Sequence, residues 1–194
     1  MQSAIRDAKV ALRDQVRAEL RRMGSAERVA ASAQARVLLA AQVVWRAARS
    51  VLFYAPMPEE LDVWPLLAEA LSVGKEVFLP RFVAETRGYE ACQILDPEAD
   101  VQAGQFRIRE PGLHCAQLRS SRVDLVLVPG LVFDPRGQRL GRGRGYYDQL
   151  LQACRGVKCG VAFDQQITGE VPVEPHDVRL NCILTPTRWI ECNG

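Results

Sequence analysis

Ile5, Leu12, Val16, Leu20 and Met23, with Lys9 in the same row, recur every three or four positions and predict one face of an amphipathic helix. Gly24 is expected to end that helix in the left-handed conformation, and Ser25 to cap a second one. The second stripe, Val29, Ala33, Val37, Ala40, Ala41 and Val44, meets no Pro or Gly and predicts a helix to about Ala48. A helical hairpin therefore opens the chain. The period then shortens to compact apolar runs: Ser50–Tyr54, closed by Pro56 and Pro58, and Glu76–Leu79, closed by Pro80, both read as buried strands. Between them Asp62 can cap a helix over Val63–Ser72 that stops at Gly74, giving a strand–helix–strand unit of the parallel kind. Glu90–Leu95 is a weaker strand, and Asp96–Leu118, rich in Pro, Gly and charge, is expected to be a long ordered loop. Asp124–Val128, Val157–Ala162 and Cys182–Thr185 complete about six strands, with a helix near Tyr146–Cys154. The predicted architecture is α/β: a three-layer, Rossmann-like open sheet, mostly parallel, in a single domain over 1–194, with its ligand crevice beyond the carboxyl ends of the strands.

Composition narrows the class. Hydrophobic residues make up 48% of the 194 and charged residues 25%, ordinary globular values that exclude disordered and fibrous chains. A formal charge of +2 is too small for the broad basic field of a nucleic-acid binder, so no nucleic-acid partner is expected. Of the 25 cations, all but Lys9, Lys75 and Lys158 are arginines. No run is long and apolar enough for a membrane span, and the first residues lack a secretory pattern, so a cytoplasmic protein is expected. The six cysteines (Cys92, Cys115, Cys154, Cys159, Cys182, Cys192) are scattered without Cys-x-x-Cys spacing, which predicts reduced, buried thiols and no zinc site.

The candidate chemistry lies in Pro129–Leu151, PGLVFDPRGQRLGRGRGYYDQLL. Gly137, Gly141, Gly143 and Gly145 fall at a strand-to-helix turn, where main-chain amides and a helix amino end can converge on an anion. The spacing is neither the P-loop nor the dinucleotide fingerprint. Arg136, Arg139, Arg142 and Arg144 alternate with the glycines and supply guanidinium forks for a polyphosphate. Asp148, in the first helical turn, is either a salt-bridge partner of these arginines or a hard oxygen ligand for magnesium. A solvated arginine-rich turn or an RNA-binding tail is the plainer alternative, although such tails lie in low-complexity context and this segment is bracketed by a strand and a helix.

The pattern P-G-x-x-F-D-x-x-G-x-R-x-G-x-G-x-G-Y-Y-D, met by Pro129, Gly130, Phe133, Asp134, Gly137, Arg139, Gly141, Gly143, Gly145, Tyr146, Tyr147 and Asp148, resembles that of the 5-formyltetrahydrofolate cyclo-ligase family, the methenyltetrahydrofolate synthetases. Weaker elements follow the same order: Lys9 to Arg13, Pro56 to Glu60, Leu79 to Arg81, Glu110 to Gly112, and His176-Asp177 ahead of Cys182 to Thr185. The resemblance implies an ATP-dependent ligase that converts 5-formyltetrahydrofolate into 5,10-methenyltetrahydrofolate with Mg2+, releasing ADP and phosphate. It implies ATP contacts at Lys9, Val10, Ala11, Leu12, Arg13, Arg139, Leu140, Gly141, Arg142, Gly143, Arg144, Gly145, Tyr146 and Tyr147. Folate contacts are implied at Arg13, Ala55, Glu60, Phe106, Arg142, Gly143, Arg144, Gly145 and Tyr146, with Asp148 and Asp177 as metal ligands. Arg142, Arg144 and Lys9 would form the electrostatic clamp on the transferred phosphoryl group. Without the resemblance, Lys9 and Arg13 could face water and Glu60 could answer a helix dipole. Of the adjacent Tyr146 and Tyr147, one is expected in the core and one at the site. Arg107 and Asn181 depart from the pattern, beside Phe106 and after Asp177. A monomer is expected, and a non-catalytic folate- or nucleotide-binding protein on the same fold is the alternative function.

Overall fold

The computed structural model describes residues 2–104, 108–118, 123–143, 145–174 and 177–192. Helix α1 (Gln2–Arg22) buries Lys9, Val16 and Leu20, and α2 (Ser25–Ala40) returns beside it. Two details of this hairpin differ from expectation. Gly24 is extended (φ −72°, ψ 159°) and occupies the cap position of α2, so Ser25 is its first helical residue. The first part of the expected apolar stripe faces water, with Val29 69% and Val37 73% exposed, because Ser32, Ala35 and Leu39 form the buried row of α2; only Ala40 and Val44 of the stripe pack on the core. Small residues suit that row: Ser32 Oγ accepts the Asp62 amide at 3.0 Å, a contact a bulkier aliphatic would block. The helix also breaks at Ala41–Gln42. Gln42 turns extended, and α3 (Val43–Ala47) restarts with a new phase that carries Trp45 inward, edge-on to Phe53 at 6.0 Å.

Strand β1 (Ser50–Leu52), α4 (Trp64–Ser72) and β2 (Glu76–Val83) form the expected parallel unit. Val63, not the expected Asp62, holds the cap position of α4, without a side-chain cap; Asp62 lies one residue earlier and accepts the Trp64 amide at 2.9 Å on Oδ1, and Gly74 follows the helix at φ 78°. Strand β2 runs past Pro80 into an antiparallel pair with β3 (Gly88–Ile94). The segment expected as loop holds three short strands: β4 (Val101–Ala103) and β5 (Arg109–Pro111), paired with each other, and β6 (Gln117–Leu118) on the edge of β3. Strand β7 (Leu125–Pro129) is followed by the β8 (Val132–Phe133) and β9 (Arg139–Leu140) ladder, α5 (Tyr146–Ala153), β10 (Val157–Val161), β11 (Cys182–Leu184) and β12 (Trp189–Glu191).

The main sheet has eight strands in the order β12-β11-β10-β7-β1-β2-β3-β6. Its five central strands are parallel and its edges antiparallel. Helices α1 to α4 cover the face carrying Val51, Leu127 and Val161, while α5 covers the face carrying Leu52, Val126 and Ile183, which makes three layers. Both faces being covered, β7 is an unbroken apolar run with Leu125, Val126, Leu127 and Val128 all at 0% exposure. Truncating a leucine there to alanine would cost about 2–5 kcal/mol, so the strand that launches the glycine-rich segment is firmly held. All six cysteines are free thiols, and among the described residues no helix is long and apolar enough to cross a membrane.

Candidate active site

Strand β1 pairs with β2 only as far as Leu52–Phe78, while β2 and β3 continue. Beyond the carboxyl ends of β1 and β7 this leaves a cavity of about 300 Å³, with Tyr54, Ala55, Pro80 and Tyr89 on one wall and Gly130, Arg139, Gly141, Arg142, Gly145, Tyr147 and Asp148 from the glycine–arginine segment on another. It is a small-molecule-sized site at the place an open α/β sheet favours.

The segment itself is built in two parts. Asp134, at 0% exposure, accepts the amides of Arg136 (2.9 Å) and Gln138 (3.1 Å) on Oδ1 and of Val171 (2.9 Å) on Oδ2. A buried carboxylate satisfied by three amides fixes the β8–β9 turn. Past Leu140, itself buried, the chain opens out: Gly143 and Gly145 take φ 104° and 69°, conformations that strain any residue with a Cβ. Gly145 caps α5, so Tyr146, Tyr147 and Asp148 enter the first helical turn.

Arg139 is 4% exposed, donates Nη2 to Asp148 Oδ1 at 2.6 Å and Nη1 to the Pro129 carbonyl at 3.2 Å, and keeps its Nε buried without a partner among the described residues. Arg142 spans the mouth of the cavity, with Glu59 Oε1 and Glu60 Oε1 each at 3.1 Å. Glu60 also accepts the Met57 amide at 3.1 Å on its other oxygen. It is therefore a turn-bound acid of the site rather than a helix-start acid. Burial pushes the Glu60 carboxyl above its ordinary range, against the opposing pull of Arg142. Tyr54 donates its hydroxyl to the Leu61 carbonyl at 2.5 Å, and burial raises its pKa well above the usual phenol value, so it stays a neutral donor. Tyr147 packs its ring on Tyr89 at 5.4 Å.

A second charged group sits on α1. Lys9, expected either at the site or in water, is 6% exposed and donates to Glu174 Oε2 (2.7 Å) and Asp177 Oδ2 (2.9 Å). Burial lowers its pKa, but the two carboxylate partners more than offset this and leave it raised. Arg13 donates Nε to the Gly141 carbonyl at 2.9 Å, and its guanidinium lies against Gly143. Arg13 thus backs the segment through Gly141 and Lys9 ties α1 to Glu174 and Asp177, neither lining the cavity, whereas Asp148 lines it and Asp177 does not. Val10 and Ala11 are exposed and Leu12 packs on the core. Phe106, Arg107, Arg144 and His176, and the side chain of Tyr146, lie outside the described residues. Asn181 accepts the Lys158 amide at 2.8 Å, a strand contact remote from the cavity lining.

Sequence reasoning missed Tyr54, Tyr89, Arg109 and Glu110, all of which line the cavity. Arg109 stacks 3.6 Å from the Trp64 ring centroid. Glu174, the tighter partner of Lys9, was also missed. The only signal for it was an acid three positions before Asp177. Arg136 pairs with Glu170 at 3.0 Å, so each described arginine of the segment is already engaged by a carboxylate. That is not the free cationic arm of an RNA-binding tail.

A crevice at the carboxyl ends of a parallel sheet, closed by a glycine–arginine turn, defines a Rossmann-like α/β protein with one apolar ligand cavity. The chain belongs to the 5-formyltetrahydrofolate cyclo-ligase family, whose model matches residues 5–186. It is 33% identical over 145 residues to the 5-formyltetrahydrofolate cyclo-ligase of Escherichia coli, covering 73% of this chain and 80% of that protein. It is 35% identical over 152 residues to that of Mycolicibacterium smegmatis, covering 73% and 76%. The NMR structure of Aquifex aeolicus 5,10-methenyltetrahydrofolate synthetase superposes with a TM-score of 0.86 at 30% identity, over 96% of this chain and 93% of that one.

Proposed function

We propose that this protein converts 5-formyltetrahydrofolate into 5,10-methenyltetrahydrofolate at the expense of ATP, with Mg2+, releasing ADP and phosphate. The observation that carries the reading is the cavity that brings apolar ring walls, the buried Glu60 and the Arg139–Arg142 segment into one space. Tyr54, Tyr89 and Tyr147 suit the flat pterin. Glu60 would accept its adjacent amino-pyrimidine donors, and the partnerless Nε of Arg139 suits an anion.

The chemistry asks mainly for positioning and charge stabilisation. The formyl oxygen takes the γ-phosphoryl group, the leaving bond being that to ADP. The neighbouring folate amine then attacks the activated formyl carbon and loses its proton, and phosphate departs with the former formyl oxygen. Arg142 would stabilise charge on the transferred group, with Arg144 and Lys9 assisting. In the ligand-free molecule Arg142 is held by Glu59 and Glu60, so the two ligands trade partners with it: the pterin takes Glu60 and the phosphoryl group takes Arg142.

Magnesium fits the donor set. Asp148 keeps Oδ2 without a partner among the described residues and lines the cavity, while Asp177, outside the cavity lining and bonded through Oδ2 to Lys9 and the Glu174 amide, would have to move in to act as a second hard oxygen donor. The ion would supply charge neutralisation on the phosphates. We further propose that residues 1–194 act as one unit and as a monomer, and that the six free thiols belong in the cytoplasm.

Purified protein mixed with 5-formyltetrahydrofolate should gain near-UV absorbance from the conjugated methenyl product only when both ATP and Mg2+ are present. ATP binding without any rise would instead establish a non-catalytic folate- or nucleotide-binding protein.

A further inference from the structure

Away from the cavity, at the β3 edge, the turn after β3 meets the segment between β5 and β6. Asp100 Oδ2 accepts the amides of Leu95 (2.7 Å) and Asp96 (2.9 Å), which fixes its carboxylate and directs Oδ1 to His114 Nε2 at 3.1 Å. Cys115 Sγ lies 3.7 Å from that same nitrogen and 3.5 Å from the Asp100 carbonyl oxygen. The carboxylate, imidazole and sulfur atoms all fall within 4.8 Å of one another. The imidazole rests on Gly112, where an added Cβ would stand 2.7 Å from Cε1. Arg81 holds the carbonyl of that glycine at 2.7 Å, so the floor under the ring is anchored.

The decisive feature is that the carboxylate and the sulfur face one ring nitrogen. A Cys–His–Asp relay needs its acid and its nucleophile on opposite nitrogens of the imidazole. With both on Nε2, the single ring proton goes to the carboxylate, and without a cation the thiol instead gives its own proton to the Asp100 carbonyl at 3.5 Å, so a cation would replace these protons. A cation shared by all three atoms satisfies the whole set. Metal bonds of roughly 2.0–2.1 Å to N and O and 2.3 Å to S, at tetrahedral angles, place N and O about 3.3 Å apart and N and S about 3.6 Å apart. The separations of 3.1 and 3.7 Å are close to those two edges, and the third, between the carboxylate oxygen and the sulfur, lies within 4.8 Å.

We propose that Asp100 Oδ1, His114 Nε2 and Cys115 Sγ form a three-ligand site for a borderline divalent cation of the zinc class, stapling the turn after β3 to the β5–β6 segment. A mixed O, N, S donor set selects this class over magnesium or calcium, which take oxygen ligands. The fourth position is open to water, because His114 is 63% exposed. Sequence spacing hid the site: His114 and Cys115 are adjacent, and Asp100 comes from a separate turn, so no familiar ligand motif appears. The site is independent of the folate and ATP reading.

The test uses the full chain without an affinity tag, stripped with a chelator and titrated with Co2+. One equivalent should bind with tetrahedral visible bands and a near-UV thiolate-to-cobalt band, and Zn2+ should abolish both. Cys115→Ser should erase the thiolate band. His114→Ala, at an exposed position that leaves the fold unchanged by circular dichroism, should weaken Co2+ binding at least about 100-fold, since loss of even an outer-shell partner costs 10–100-fold. Cys192→Ser should leave the spectrum intact. An octahedral spectrum without the thiolate band would overturn the proposal, as would a tetrahedral spectrum that survives in His114→Ala.

Discussion

Asp134 and Arg142 belong to one glycine-rich pattern and live under opposite conditions. Asp134 is fully buried and spends both oxygens on main-chain amides. Arg142 is 37% exposed and reaches across the cavity mouth to two acids on another segment. The part of the pattern up to Leu140 builds a rigid turn, and the part beyond it presents groups that can change partners. A long motif is therefore not a list of ligand contacts; some of its most specific letters are scaffold.

The sharpest way to break this division is Asp134→Ala. Three amides would lose their acceptor at about 1–3 kcal/mol each, so urea denaturation should show a loss of roughly 3–9 kcal/mol. Arg142→Ala should do the reverse, lowering kcat about 100- to 1,000-fold with little change in the urea midpoint. If Arg142→Ala unfolds the protein, or Asp134→Ala leaves it intact, the division is wrong. Asp148→Asn should lower turnover and raise the Mg2+ concentration that gives half-maximal rate. Glu60→Gln presents an amide donor to a donor edge and should raise the folate KM about 10- to 100-fold, with the ATP KM nearly unchanged. The smallest effect is on pH dependence. Burial raises the Glu60 carboxyl above its ordinary 4.5, so its contribution to stability is full below that value and is lost as pH rises through the raised one. Glu60→Gln should flatten the urea midpoint across that window, and Arg142→Ala, which removes the opposing cation, should extend the window upward.

Helix α1, the parallel unit around α4 and the strand before the glycines were legible because local period and burial agree there. Strand β7 is apolar at every position and sits at the centre of the sheet. The α2 stripe misled because its buried row is made of Ser32, Ala35 and Leu39, two of them too small to register as apolar, while Val29 and Val37 decorate the outside. Strands β4 to β6 escaped notice because pieces of two or three residues have no period to read. At the site, the glycines and arginines could be named from spacing alone. Tyr89, Arg109 and Glu110 could not, because the β2–β3 and β4–β5 ladders bring them to the cavity from elsewhere in the chain.

Strand β1 ends before β2 does, and that has a bearing on solubility. Past Phe78 one side of β2 lacks a strand neighbour among the described residues, and a bare strand edge is a template for pairing with another chain. Phe78 turns its carbonyl to β1, accepting the Phe53 amide at 2.9 Å, so by alternation the backbones of Pro80 and Phe82 face the same side. Pro80 has no amide to offer, and the Phe82 amide points to the Glu110 carboxylate at 3.5 Å. The opening that admits a ligand is thereby closed to an intruding strand, and Pro80→Ala, which would restore a donor there, is where aggregation on storage should first increase.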